Sequence, residues 1–559
     1  MQLILFDSIL KRTIQLLLFL ILFCSCPYFV FAQDYKTLKA QVAELEKAGN
    51  FKEAIPLAEK AVKQAETEYG KTNYRYVAAL TKLGEVYQGA ELLDRAEKIF
   101  VEVVALDKAK YGETEMVYAE SISQLGGVYF MQGKYELALP YFTKAAEIKK
   151  TQMGAGVLYA NSLNNVASIN FKLGKYAAAE AQFIEVLTIY QQENEITEQY
   201  ANAKNGLGCL YDMTGRYEDA EVLLVSSVQW QKQLNGETSL DYADPLKNLA
   251  GLYKNMGRYT EAEQAHVESM QIIKANGEKT LNYANSLYNL ALLYHVKGDY
   301  RQAENMLKES LAITKSIIGD KVSGYATGLN GLGNLYADIG LYTEAETLYK
   351  KQIEIVKADL GEDHPHYATA QANLGALFYQ MGRYEQAESI YKKVLELDRK
   401  HFGDHIESAT TLYYMAILYR DMLKLNVSEE YFKQALEIQK TQLGPTHPEY
   451  IKSLIGLGDT YLKAGKLKES IALYNQSMPY FETPDGQASA NYTTFVNNLA
   501  ALYKMTGNFS NAEKWFKETM RLQLAQWGET SNGYLRTLAN LGELYFSMGQ
   551  YAKAEPCVS

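Results

Sequence analysis

Residues 283–319 read YANSLYNLALLYHVKGDYRQAENMLKESLAITKSIIG, and this stretch decides the fold. Leu287, Leu290, Ala291 and Tyr294 recur at three- and four-residue steps, the spacing of one helix face. After Lys297, Gly298, Asp299 and Tyr300 the spacing resumes with Ala303, Leu307, Leu311 and Ile318. The stretch predicts two antiparallel helices joined by a tight turn at Gly298 and closed by Gly319. Glycine suits both places, because helices commonly stop on a residue of positive φ.

The same pattern runs along the chain. Gly298 belongs to a ladder stepped by 41 or 42 residues: Gly49, Glu91, Gly133, Gly174, Gly215, Gly257, Gly298, Gly340, Gly382, Leu423, Gly465, Gly507 and Gly549. Only Glu91 and Leu423 break it, and their turns are expected to be the loosest. A second ladder, from Gly70 and Gly112 to Gly486 and Gly528, is expected to end the second helices. Pro365 and Pro448 follow two of its glycines, where proline blocks helix continuation. A small residue such as Gly84, Gly126 or Ala291 stands three before an aromatic such as Tyr87, Tyr129 or Tyr294, with Asn170 the exception. An alanine five after the turn position (Ala96, Ala303, Ala387) opens the second helix. An unbroken period of this length marks a solenoid. The fold class is therefore all-α, a solenoid of antiparallel helix pairs with about 12 repeats. It offers a surface and no evident reaction centre.

The repeat also accounts for the 45 tyrosines, read as core and inter-repeat packing. Each buried aromatic takes roughly 150–250 Å² out of water. Their hydroxyls are expected at the edges, reaching water or a neighbouring repeat. Acidic residues outnumber basic ones, 66 to 56, giving a net charge of −10. That balance argues against a nucleic-acid footprint, which needs a basic face. It argues equally against electrostatic docking on anionic lipid.

The first 32 residues differ from the rest. Lys11 and Arg12 precede an apolar run at 14–23, and Val30, Phe31 and Ala32 lead into the polar Gln33 and Asp34. This is a signal-peptide pattern with cleavage expected after Ala32. It predicts an exported, periplasmic or secreted bacterial protein, with a solenoid over 33–559. An uncleaved anchor and a lipoprotein at Cys24 or Cys26 are the alternatives, the latter opposed by bulky Phe23. Cys209 and Cys557 remain, too far apart in an extended array to reach disulfide distance.

His364 and His366, and His401 and His405, are close in sequence, but no cysteine or carboxylate set completes a zinc shell. His364 and His447 sit beside proline between repeats. Residues 381–384, Met-Gly-Arg-Tyr, are a helix turn and not a phosphate cradle. No serine has a nucleophile-elbow context. Glu429 and Glu430 are read as a solvated helix face. No catalysis, metal or cofactor is implied.

These ladders resemble the tetratricopeptide repeat (TPR): Leu-Gly/Ala-x-x-Tyr, Gly-x-Tyr at the turn, then Ala. The 42-residue step, the Ala262-Glu263 and Ala387-Glu388 pairs and residues 360–365 (LGEDHP) resemble the longer kinesin-light-chain type. The resemblance implies a right-handed superhelix whose concave face binds an extended peptide or a partner protein. In that family an asparagine two before the small residue can grip a peptide backbone, since its amide both donates and accepts. Here the position holds Asn165, Asn248, Asn289, Asn373, Asn498 and Asn540. Lys247, Tyr288, Asn330 and Asn334 are further inward candidates, with Asn164 and Asn205 beside them. These asparagines could instead bridge repeats structurally. Lys and Arg do not recur there, which speaks against capture of a C-terminal carboxylate.

Two readings follow. One is a non-catalytic exported scaffold. The other is the sensing arm of a longer protein, because the last repeat has only about eight residues after Gly549 and no polar cap. Tyr551, Ala554 and Val558 are then expected to face nothing. Similar bacterial arrays precede caspase-like peptidase modules. A signalling reading would need a membrane span and a DNA-binding domain, and neither pattern follows residue 33.

Overall fold

A computed structural model describes residues 34–47, 49–193, 197–483, 486–487, 492–529 and 531–558. The expected leader lies outside them. The described residues form 26 helices and no strand. They fall into two compact units, one through Ile169 and one from Asn170.

In the first unit the helices are α1 (Tyr35–Lys47), α2 (Phe51–Tyr69), α3 (Tyr74–Gly89), α4 (Leu93–Tyr111), α5 (Met116–Met131), α6 (Tyr135–Met153) and the start of α7 (Val157–Lys172). The second continues with α8 (Tyr176–Gln192), α9 (Glu198–Met213), α10 (Tyr217–Asn235), α11 (Leu240–Asn255), α12 (Tyr259–Asn276), α13 (Leu281–Val296), α14 (Tyr300–Ile318), α15 (Ser323–Asp338) and α16 (Tyr342–Leu360). It ends with α17 (Pro365–Gln380), α18 (Tyr384–Phe402), α19 (Ile406–Asp421), α20 (Leu425–Gln442), α21 (Pro448–Lys463), α22 (Leu467–Phe481), α23 (Tyr492–Met505), α24 (Phe509–Trp527), α25 (Asn532–Ser547) and α26 (Tyr551–Val558). Each unit is an all-α solenoid in which consecutive helices pack as antiparallel pairs. Among the described residues no helix is long and apolar enough to cross a membrane.

The turn ladder works by backbone chemistry. At Gly298 (φ +80°) the N–H donates to the His295 carbonyl, and the next N–H, from Asp299, reaches back to the Tyr294 carbonyl at 2.9 Å. This pair of bonds satisfies carbonyls that a helix end otherwise leaves orphaned. Glu91 and Leu423 make the same two bonds, each at φ +60°. Their turns therefore keep the glycine geometry, and the departure from glycine appears as backbone strain.

The small residue sits where an aromatic crosses. A Cβ on Gly84 would lie 2.6 Å from Cζ of Phe100, which is fully buried. The ladder tyrosine then ties one repeat to the one before. Tyr294 donates to Glu263 at 2.8 Å, Tyr336 to Glu304 at 2.8 Å and Tyr545 to Glu513 at 2.9 Å. In each case the acceptor follows the alanine that opens the preceding second helix. The expected hydroxyl partners are thus carboxylates of the neighbouring repeat.

Three expectations are corrected. Glu429 is not on a solvated face: Tyr461 and Lys466 of the next repeat bond it at 3.0 Å each. Lys433 leads these donors in holding its carboxyl down at about 2, against burial. Glu430 is exposed as expected. Pro365 and Pro448 lie beyond the ends of α16 and α20, as expected, and begin α17 and α21, where a missing N–H costs nothing. Gly486 does not end a helix, because α22 stops at Phe481 just after Pro479. Ala554 does not face nothing: it is buried against a cluster containing Phe516 and Tyr545.

Candidate peptide-binding face

In the second unit the first helices of successive repeats touch one another, α9 with α11 and α13 through α21 in turn. They form runs of adjoining first helices that carry Asn248, Asn289 and Asn373, with Asn498 and Asn540 on α23 and α25 further along the chain. Close approach is again set by small residues. A Cβ on Gly331 of α15 would lie 2.6 Å from the ring of Tyr288 on α13. Tyr288 therefore packs over the next repeat, and burial raises its phenol.

The amides pair along these helices. Asn248 donates to Asn205 at 3.0 Å and Asn373 to Asn330 at 2.6 Å, each one repeat apart. Asn498 donates to the Tyr474 hydroxyl at 3.2 Å, and Asn334 accepts from Tyr349 at 2.6 Å. Lys247 is paired with Asp244 at 2.5 Å within α11. Asn289 and Asn540 are half-buried. Each amide pair uses one of two N–H groups on the donor, so donor capacity remains for another chain.

Sequence reading missed a polar network beside these asparagines. Tyr379 donates to Asp421, which also holds Arg420 at 3.2 Å and Lys463 at 2.9 Å. Arg420 reaches Asp459 at 3.6 Å, and Tyr474 donates to Asp459 at 2.5 Å. Through Tyr474 this network ends on Asn498. Burial raises the Asp459 carboxyl, while Arg420 in turn gains charge stability from Asp421 and Asp459 despite its own burial. No repeat pattern announces it, since arginine stands at this position in one repeat alone.

The first unit carries Asn165, exposed on α7, and its neighbour Asn164, whose side-chain carbonyl is buried without a hydrogen-bond partner. Between α1, α3 and α5 lies a cavity of about 440 Å³ walled by Tyr35, Val42, Tyr74 and Val77, with Lys82 and Glu120 among its polar residues. In its wall the Ser121 hydroxyl donates to buried Asp107, whose carboxyl is raised by burial.

Two histidines cap helices, and one of them, His447, also reaches the carbonyl oxygen of Met213 through Nε2 at 2.9 Å. His364 and His447 cap α17 and α21 by accepting the His366 and Glu449 N–H groups at 3.1 Å. Among the described residues no three His, Cys, Asp or Glu side chains group to hold a metal ion. Cys209 and Cys557 are free, and burial pushes the Cys209 thiol up to about 12.

The tetratricopeptide repeat profile matches residues 38–109, 76–151, 158–233, 241–316, 324–400, 407–483 and 491–558. The chain belongs to the tetratricopeptide repeat family. It is similar in fold to BtubC (BKLC) from P. vanneervenii, at 22% identity over 40% of this chain and 90% of that one, TM-score 0.34. It is also similar to a putative kinesin light chain with nearly identical TPR-like repeats from Podospora anserina, at 20% identity over 37% of this chain and 98% of that one, TM-score 0.31. No curated protein matches the chain.

Proposed function

We propose that this TPR protein is a non-catalytic interaction scaffold that binds an extended segment of a partner protein along its first-helix, concave face. The observation that carries this reading is the half-buried asparagine row of the second unit, in which paired amides keep unused donors. An extended backbone offers the matching alternation of N–H and C=O groups. Such recognition depends on main-chain hydrogen bonds and is tolerant of sequence. The acidic balance favours neutral or basic segments over nucleic acid or anionic membrane.

The test is selection from a displayed library of unstructured peptides on the full chain, followed by affinity measurement on Asn289→Ala/Asn498→Ala. Ligands weakened roughly tenfold or more would support the reading, at about 1 kcal/mol per lost hydrogen bond. Ligands bound equally by the variant would move these asparagines to a purely structural role. We further read residues 1–32 as an export leader, which puts the partner in the periplasm or medium. A mature N-terminus at Gln33 is the expected result of N-terminal sequencing.

A further inference from the structure

Each repeat of the second unit has two edges. One is the turn between its helices, and the other is the loop to the next repeat. Two of these edges meet at a seam. The Nε2 of His447, in the loop before α21, lies 2.9 Å from the carbonyl oxygen of Met213 at the end of α9, 234 residues earlier. Its Nδ1 accepts the Glu449 N–H at 3.1 Å, so the neutral ring carries its proton on Nε2 and donates it to Met213. In the turn after α9, a Cβ on Gly215 would lie 2.8 Å from Pro448 Cδ. One repeat earlier on both sides, His405 of the loop before α19 packs so closely on Gly174 of the turn after α7 that no side chain fits there. Burial, with the Glu407 charge across the seam, pushes the Tyr176 phenol up to about 12. Turn glycines Gly298, Gly340 and Gly382 share the positive φ but have open space beside them. Turn edge and loop edge therefore meet twice in succession, each time at an offset of between five and six repeats.

A ribbon of helix pairs whose one edge touches its other edge is a closed winding. The first helices line its inside, because those of neighbouring repeats pack on one another while the second helices do not approach as closely. Asn205, Asn248, Asn289, Asn330 and Asn373 all lie between Gly174 and His405 in the chain, so both amide pairs belong to this one winding. We propose that the winding encircles its ligand, and that the ligand is an unstructured polypeptide tail with a free end, threaded lengthwise past the asparagines. The proposal rests on the reading that a partner segment lies along the first helices. An extended tail presents a single strand of backbone N–H and C=O groups to the amides from inside the winding. A loop held at both ends by folded protein has no such route. It reaches the inside only by parting His447 from Met213, Pro448 from Gly215 and His405 from Gly174. One closed contact is enough to bar it, as it is in any closed coil.

The test locks the seam in the full chain. The close approach of Gly215 and Pro448 brings Gly215→Cys and Pro448→Cys within reach of a disulfide, with Cys209→Ser and Cys557→Ser removing the native thiols. The probe is an unstructured peptide selected on the full chain and made in two forms. One form has a free end. The other carries a small folded domain at each end, through Gly/Ser linkers of about 20 residues that span roughly 25 Å and keep the domains clear of the repeats. The oxidised chain is expected to bind the free-ended form at a rate within about threefold of the reduced chain, and the doubly capped form at least about a hundredfold more slowly than the free-ended one. Equal on-rates for the two forms, with a peptide that Asn289→Ala/Asn498→Ala weakens, would overturn the encirclement and leave the first-helix face standing. A peptide insensitive to that variant would remove the first-helix reading and the encirclement together. Failure of both a disulfide and a short bis-maleimide to bridge positions 215 and 448, in a chain of unchanged helicity, would also overturn the proposal.

Discussion

The side-chain amide of Asn373 donates to that of Asn330 at 2.6 Å, one repeat apart on adjoining first helices. Asn248 and Asn205 repeat the relationship. Asn373→Ala should therefore destabilise the chain by about 1 kcal/mol, by leaving the half-buried Asn330 carbonyl short of a donor. Adding Asn330→Ala should cost less than the two separate losses. A double-mutant cycle by chemical denaturation checks this coupling.

The Tyr294 hydroxyl meets the Glu263 carboxylate, which also takes Lys297. Tyr294→Phe keeps the packing and removes a charge-assisted bond, so a loss of roughly 1–2 kcal/mol is expected. Tyr300→Phe, at an exposed tyrosine two residues after the turn, should lie within about 0.5 kcal/mol of wild type. Paired melting curves would distinguish them.

Leu423 holds φ +60° with its side chain 72% exposed. Leu423→Gly relieves the left-handed strain and gives up little burial, so a gain of about 1 kcal/mol is predicted. Glu91→Gly should act in the same direction. A fall in melting temperature for both would contradict the strain account.

His266 is buried on α12, and burial lowers it to about 4, with Lys254 and Lys247 adding to the effect. A pKa depressed in the folded state gives stability that is complete above the unfolded value of about 6.5. That contribution falls away as pH drops toward 4, by on the order of 3 kcal/mol at about 1.4 kcal/mol per unit. Stability measured between about pH 7 and pH 4 should decline less steeply in His266→Gln.

The fold was legible because each repeat restates it. Gly298, Ala303 and Tyr294 each obey a local rule, and twelve further copies of the turn remove the ambiguity of any one. The same periodicity exposed the asparagine row. It could not show that Asn373 meets Asn330, because that requires the inter-repeat rotation. The seam at His447 was beyond reach for a related reason. His447-Pro448 reads as an inter-repeat loop, and only the winding of the unit brings it to Met213. Glu429 was misread because one helix alone presents it to solvent, whereas the next repeat supplies Tyr461 and Lys466 to cover it.

The central claim is that a partner segment lies along the first helices. The most direct measurement places a photo-crosslinking residue at Asn289 on α13 or, separately, at Val222 on α10, which is 71% exposed on a second helix. Each variant is irradiated with a selected unstructured peptide. The account predicts a covalent adduct from position 289 that excess unlabelled peptide suppresses, and none from position 222. Equal adducts from both positions, or adducts from 222 alone, would contradict it.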